Sequence, residues 1–313
     1  MNMVDAHNLI AAGLRGELRL HEPMSRHTSW RTGGAAERAY FPADREDLLA
    51  FLRALPAEES VHMTGLGSNL LVRDGGLRGT VIFTHWALRA VRLESAGTIY
   101  AEAGVASPKV ARFAALHDLA GAEFLAGIPG TVGGAVAMNA GCYGGETWDI
   151  VANVTTVDRA GALRTRAKDD YEIGYRRVLL KADGRTTADG RQAEEWFVAA
   201  TFRLPRGPGA ESRRKITELL KRRISTQPLG EPNAGSVFRN PRDDYAARLI
   251  EACGLKGRAI GGAQISEKHA NFIVNLGRAR AADVEALIQL AERTVMERFG
   301  VALEREVRIV GDA

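Results

Sequence analysis

The sequence predicts an α+β protein, and three observations carry the prediction. Short apolar runs separated by turn residues fill 61–103 and read as strands. Strand patterning dominates 151–204. Beyond residue 205 the apolar residues fall three and four apart, as on amphipathic helices, before a short apolar run near the C-terminus.

In chain order, Asp44 is placed to cap a helix with Leu48, Leu49, Leu52 and Leu55 on one side. Strands are expected at 61–64, 70–72, 80–84 and 99–103. Ser107-Pro108 reads as a helix start, a capping hydroxyl followed by proline, with Val110, Phe113 and Leu116 as the buried stripe. The clearest later strands are 151–157 and 196–204. Between them the polar, glycine-punctuated segment 182–192 reads as an exposed hairpin loop or insertion.

Pro205-Arg-Gly-Pro-Gly209 is the expected domain boundary. A basic helix follows, then a loop rich in Pro and Gly to about 242. Next come a helix carrying Tyr245, Leu249 and Ile250 and a strand at 271–276. A helix with Val284, Leu287, Ile288, Ala291 and Val295 at helical spacing is closed by Gly300. A strand at 306–310 ends the chain.

At 313 residues the chain is long enough for two or three subdomains. Its 45% hydrophobic and 26% charged residues are ordinary for a globular protein and exclude disorder or a fibrous repeat. The net charge of +4 is interleaved with acids almost everywhere, so no nucleic-acid partner is expected. The exception, 213–223, reads as the solvated face of a helix whose apolar positions are Ile216, Leu219 and Leu220. Cys142 and Cys253 give neither a metal spacing nor a disulfide framework. No basic start with an apolar run opens the chain, and no apolar stretch is long enough for a membrane span. A cytoplasmic monomer with no membrane partner is the expectation.

Glycine stands out, at 34 of 313 residues, against about 7% in average usage. The excess clusters at 65–79, 127–145 and 254–262. In the first cluster, Gly65 and Gly67 let backbone approach an anion, Ser68 and Asn69 add donors, and Asp74-Gly-Gly makes a tight turn. A pyrophosphate needs such converging N–H groups. The spacing is not that of a Rossmann site, since a strand rather than a helix follows, and the Gly-Lys-Ser/Thr of a Walker loop is absent. A plain glycine turn between strands is the competing reading. The second cluster, 127–146, has seven glycines among small residues with a single amide at Asn139. It would let backbone lie flat on a large planar or phosphorylated ligand. Close strand packing would explain one or two of those glycines.

Three polar sites stand out in the second half: Tyr175-Arg176, the Ser236 to Asn240 loop, and Glu306 with Arg308. The last two would lie two apart on one strand face. Each reads equally as a surface arginine, a turn serine or a solvent-facing charge pair.

Taken together with His27-Thr-Ser-Trp-Arg-Thr-Gly-Gly34, these motifs resemble an FAD-binding domain of the vanillyl-alcohol-oxidase type. More narrowly, they resemble the UDP-N-acetylenolpyruvoylglucosamine reductase family, from about residue 26 to 311. The resemblance implies an FAD-binding domain at 1–205, with subdomains at about 20–85 and 86–205. A C-terminal α+β substrate domain would occupy 206–313, its terminal strand at about 304–310 returning to the active site. It implies noncovalent FAD, NADPH as co-substrate, and reduction of UDP-N-acetylglucosamine enolpyruvate to UDP-N-acetylmuramate in peptidoglycan precursor synthesis.

Residue by residue, Arg176 matches the family's arginine that meets developing negative charge. Ser236 matches its proton donor to C2, and Glu306 the carboxyl group that helps stabilise or protonate the intermediate. Tyr175, Asn240, Gln264 and Arg308 match substrate contacts. Gly65, Gly67, Ser68, Asn69, Gly130, Thr131, Gly133, Gly134 and Ala137 match cofactor contacts. The 264–275 motif is close to the family's, with no generic explanation for its polar order. The chain departs from the pattern at Val178, where serine is usual, and at Cys142, where a small residue such as alanine is usual. It lacks the tyrosine-bearing substrate loop of one branch and has neutral Gln227 where that branch has lysine. No covalent flavin link is evident, His27 being the only nearby candidate for one. Another flavin oxidase or dehydrogenase on this fold, and a non-catalytic nucleotide-binding module, are the alternatives.

Overall fold

The 151–204 stretch folds into long antiparallel strands. In the computed structural model, which describes residues 13–95, 97–182 and 194–313, they lie in a five-stranded sheet. Its order is Leu163–Ala167, Val151–Asp158, Glu195–Arg203, Thr98–Glu102, Val91–Ser95. The register sets Val154 opposite Ala200 and Val157 opposite Trp196. Most of the 182–192 segment lies outside the described residues.

Two compact units divide the chain. The first takes in residues 13–19, Ala39–Gly65 and Thr80–Leu220. Its larger core packs Ile99, Ala101, Val154, Ala200 and Phe202 with the helix Ser107–Leu116. That helix departs from expectation. Leu116 is 69% exposed, and the buried stripe is Val110, Ala111, Ala114 and Ala115. Alanines allow close approach of helix and sheet, and a stripe of them is faint by hydrophobicity. Ala106, not Ser107, is the N-cap; Ser107 is buried as the first helical residue. By contrast Asp44 caps Arg45–Ala54 as expected, its carboxylate accepting from the Asp47 N–H at 2.9 Å. Leu48, Phe51 and Leu52 of that helix are buried.

A four-stranded sheet has the order Glu17–Pro23, Ala35–Phe41, Leu77–Phe83, Val61–Thr64. The chain passes from one unit to the other within the first three of these strands.

The second unit joins Leu20–Arg38 and Leu66–Gly79 to Lys221–Ala313. Apolar burial holds its three segments together. Trp30 and Leu71 lie in the same core as Phe238, Leu249, Val284, Leu287 and Ile288. The Trp30 indole N–H donates to the Ile273 carbonyl at 2.7 Å, and Asn275 Nδ2 donates to the Trp30 carbonyl at 2.8 Å. The helix Ala281–Phe299 ends at Gly300 in the left-handed conformation, as expected. The predicted 271–276 strand narrows to Ile273–Asn275, in a three-stranded antiparallel sheet. Tyr245 is the exposed N-cap of Ala246–Ala252 rather than a residue within the helix.

The terminal strand is Arg308–Val310, parallel to Leu70–Val72 with Arg308 opposite Leu70. Glu306 precedes it, so the shared strand face expected for Glu306 and Arg308 does not hold. Asp74-Gly-Gly does turn the chain, Gly76 N–H donating to Arg73 O at 3.0 Å. Its carboxylate also accepts from the N–H groups of Ala281 and Ala282, each at 3.0 Å. Asp74→Ala is expected to lower stability by about 1–2 kcal/mol, read as a shift in urea midpoint at unchanged slope. Among the described residues no helix is long and apolar enough to cross a membrane.

Candidate active site

Residues 65–69 join the strands Val61–Thr64 and Leu70–Val72. Among the described residues, none accepts a hydrogen bond from the backbone N–H of Leu66, Gly67 or Ser68. Gly67 has φ 59°, and a Cβ there would land on the His27 carbonyl oxygen. A left-handed glycine within three successive open N–H groups is an anion nest, which fits a pyrophosphate. His27 is engaged elsewhere, its Nε2 lying 2.8 Å from Glu22 Oε1.

The second glycine segment is built differently from the flat wall expected of it. Val132–Ala137 is a short helix capped by Thr131, whose hydroxyl accepts from the Gly134 N–H at 3.5 Å. The Val132 and Gly133 N–H groups donate to Val105 O and Ala103 O, both at 2.8 Å. Packing explains more of its glycines than the sequence suggests. A Cβ on Gly127 would meet Cys142 Sγ, one on Gly133 the Ala103 Cβ, one on Gly141 the Gly145 carbonyl, and one on Gly145 the Phe124 ring. Gly144 has φ 87°. An added Cβ would find open space at Gly144 and only the Thr131 hydroxyl, at 3.9 Å, at Gly134. Cys142 is half-buried and its thiol contacts the Phe124 carbonyl at 2.9 Å, as a packed side chain does. Gly65 also belongs to this first unit: a Cβ there would land on the Thr131 hydroxyl.

Tyr175 and Arg176 form the two-residue loop of a hairpin, Tyr171–Gly174 paired with Arg177–Leu180. Val178, opposite Ile173, sits on the second strand and packs on the first unit's core, so the turn is formed without the family's serine. Arg176 has φ 54°, a conformation costly for a side chain of its size and one that recurs at functional sites. Its guanidinium donates to the carbonyls of Asn139 (3.3 Å) and Gly141 (2.8 Å) and lies 4.9 Å from the Tyr175 ring. Asn139, the single amide in a run of small residues, is not among the site residues read from the sequence, yet it bonds to the hairpin that carries Arg176.

In the second unit, the structure ties the glycine loop to the C-terminal candidates. Asn69 Nδ2 donates to the Glu306 carbonyl at 3.0 Å, and the Arg308 N–H donates to the Asn69 carbonyl at 3.0 Å. The Glu306 N–H donates to the Val237 carbonyl at 2.8 Å, one residue past Ser236. Ser236 is half-buried and Arg308 exposed. Asn240 and Gln264 stand further along: Asn240 Oδ1 accepts from the Ala246 N–H at 3.2 Å, and Gln264 Nε2 donates to the Gly257 carbonyl at 3.0 Å.

The polar order of 264–275 now has a structural explanation. Asn271 brackets Phe238, accepting its N–H at 3.0 Å and donating to its carbonyl at 2.8 Å. Asn275 satisfies Trp30, Gly277 and Ala279. These amides replace missing strand neighbours and fix the loop that carries Ser236. Burial, then the nearby Lys256 charge, pushes His269 below the ordinary imidazole range, and its Nδ1 faces the Asn271 N–H at 3.3 Å. Gln227 accepts from Arg223 Nε at 2.9 Å, which puts a cation beside the position where the other branch has lysine.

The open nest and the α+β frame define an FAD-binding protein, and residues 36–166 match the family model described as an FAD binding domain. Residues 227–310 match the C-terminal domain of UDP-N-acetylenolpyruvoylglucosamine reductase. The reductase of that name from Thiobacillus denitrificans is 56% identical over 325 positions, covering 100% of this chain and 98% of its own. That from Nitrosospira multiformis is 60% identical, covering 96% and 90%. The solved structure of the reductase from Thermus caldophilus aligns at a TM-score of 0.76 and 32% identity, over 95% of this chain and 99% of that one. The chain belongs to the UDP-N-acetylenolpyruvoylglucosamine reductase family.

Proposed function

We propose that this chain reduces UDP-N-acetylglucosamine enolpyruvate to UDP-N-acetylmuramate with NADPH. The observation that carries the reading is the direct bonding of Asn69, in the glycine loop, to Glu306 and Arg308, with Glu306 in turn bonded beside Ser236. This bonding supports reading the loop as the phosphate site and Ser236 and Glu306 as the proton-handling residues beside it. Bound FAD would supply hydride transfer between NADPH and C3 of the enolpyruvyl group, and the residues of this chain would then meet the negative charge at C2 and its carboxylate.

The nest at Leu66, Gly67 and Ser68 would hold the pyrophosphate, with Gly65, Asn69, Gly130, Thr131, Gly133, Gly134 and Ala137 as further contacts. Gly133 would serve through its lack of a side chain, since its N–H is already bonded to Ala103. Arg176 would meet the developing charge on the enolpyruvyl oxygens as a preplaced cation. Ser236 would give its hydroxyl proton to C2, and Glu306 would return a proton to it. Serine is a weak acid, so this donation depends on enforced position and on the basicity of the carbanion it meets. Tyr175, Asn240, Gln264 and Arg308 would bind substrate, and Arg223 would supply the phosphate cation that Gln227 does not. We read 1–205 as the FAD-binding domain and 206–313 as the substrate domain, acting as a cytoplasmic monomer on these two small-molecule partners.

Purified protein is expected to be yellow, to bleach with NADPH, and to regain colour anaerobically only when the enolpyruvyl substrate is added. A colourless protein that fails to take up FAD sinks the enzyme reading. Bleaching without recovery leaves a flavoprotein of different substrate and overturns the proposed reaction.

A further inference from the structure

We propose that Asn139 is a positioning residue for Arg176, with Glu146 as its anchor; this rests on the role just given to Arg176. Asn139 is 1% exposed and has φ 46°, a left-handed conformation in which asparagine is enriched among residues with a side chain. That backbone turn aims its carbonyl, and next but one the Gly141 carbonyl, at the two Nη atoms of Arg176. The side-chain amide works on the other end of the same hairpin. Nδ2 donates to the Gly174 carbonyl at 3.2 Å, immediately before Tyr175-Arg176, and to Glu146 Oε2 at 2.8 Å. Oδ1 accepts from the N–H of Trp148 at 3.0 Å, and Trp148 is itself buried with its indole bonded to Val136 O.

One buried residue therefore holds both the base of the hairpin and the guanidinium that the hairpin carries. Every bond the asparagine side chain can make toward the protein is directional. Its two amide protons are divided between a carboxylate fixed on the neighbouring segment and the hairpin base. A general packing role would call for volume alone. Here the requirement is an amide in a left-handed backbone, which no apolar residue supplies. Arg176 is also left-handed, so the hairpin tip does not hold itself in a relaxed conformation and depends on such outside bonds.

The test is a double-mutant cycle measured on the second half-reaction, with enzyme reduced beforehand and mixed with the enolpyruvyl substrate. Asn139→Gly keeps the left-handed backbone and both carbonyl acceptors but deletes the amide. It is expected to slow reoxidation by about a hundredfold, as a misplaced charge does. The FAD dissociation constant, measured by flavin fluorescence, is expected to change less than about threefold. In an Arg176→Ala background the same substitution is expected to add no further loss. Additive losses, or a loss of FAD affinity that parallels the rate, overturn the positioning role and leave Asn139 as a structural residue. An Arg176→Ala change that leaves reoxidation untouched overturns instead the role of Arg176. Should Asn139→Gly not fold, Glu146 gives the same answer. Glu146→Gln, which keeps an acceptor for Asn139, is expected to retain the rate, and Glu146→Ala to lose about tenfold. Equal rates for these two overturn the anchor.

Discussion

Replacing Ser236 by alanine is expected to leave reduction of the flavin by NADPH within about twofold of normal, and to slow transfer to the enolpyruvyl substrate by about 10²–10⁴-fold. The two halves are expected to separate because the proposed role gives the hydroxyl a task only in the second. Hydride addition at C3 leaves a carbanion at C2 that must be protonated before product can leave, and removing the proton donor stalls that step alone. The scaffold gives the substitution little else to disturb. Val237 donates its N–H to the Asn271 carbonyl at 2.9 Å and accepts from Glu306, while Phe238 is bracketed by the Asn271 amide. Gly235, at φ 76°, makes the preceding turn, with its N–H held by Asn233 Oδ1 at 2.9 Å. All of these bonds use backbone at 235–238, so alanine keeps them. Stopped-flow absorbance of the flavin band reads the two phases in one sample. Equal slowing of both would show that the loop had collapsed or that FAD was poorly held, and would remove Ser236 from the chemistry.

What the sequence makes legible is local. The strands 61–64 and 70–72 fall where the apolar runs put them, and the helix closed by Gly300 stops where glycine allows. The Asp44 cap is likewise readable, because the capping side chain bonds three residues along. Pairings between distant segments are not legible, since a period in the sequence says which face is apolar and nothing of its partner. Hence the terminal strand's union with Leu70–Val72, and the burial of Trp30 beside Ile273, come only with the structure. The second glycine cluster misleads for a related reason. Gly127, Gly133, Gly141 and Gly145 are small because other protein atoms press on them, and composition cannot tell that pressure from a ligand's. The candidate residues themselves were readable only through resemblance. Arg176 and Ser236 look like any turn arginine and turn serine until the hairpin and the Asn271 bracket are seen.

Gly67→Ala is expected to yield a colourless protein whose affinity for FAD is lower by about 10²–10⁴-fold, with apo-protein stability reduced by at least about 1–2 kcal/mol. Two costs coincide at this residue. At φ 59° any side chain strains the backbone, and the added Cβ would fall on the His27 carbonyl oxygen. The neighbouring segment has little freedom to withdraw. Ser29 N–H donates to the Gly67 carbonyl at 3.2 Å, His27 N–H donates to Met24 O at 2.9 Å, and the His27 ring is held against buried Glu22. The loop must therefore move, and the N–H groups of Leu66, Gly67 and Ser68 then diverge. Hydrogen bonds to a charged group contribute about 1.5–3 kcal/mol each, so losing one or two accounts for the expected fall in affinity. Titrating apo-protein with FAD and following fluorescence quenching measures the loss, while urea unfolding of the same apo-protein measures the strain separately. Gly65→Ala is the milder companion, because its backbone is not left-handed and the atom it would meet is the Thr131 hydroxyl rather than a carbonyl of the main chain. If Gly67→Ala binds FAD as tightly as the unaltered protein while its stability falls as expected, residues 66–68 are a structural turn, and the pyrophosphate is held by other donors.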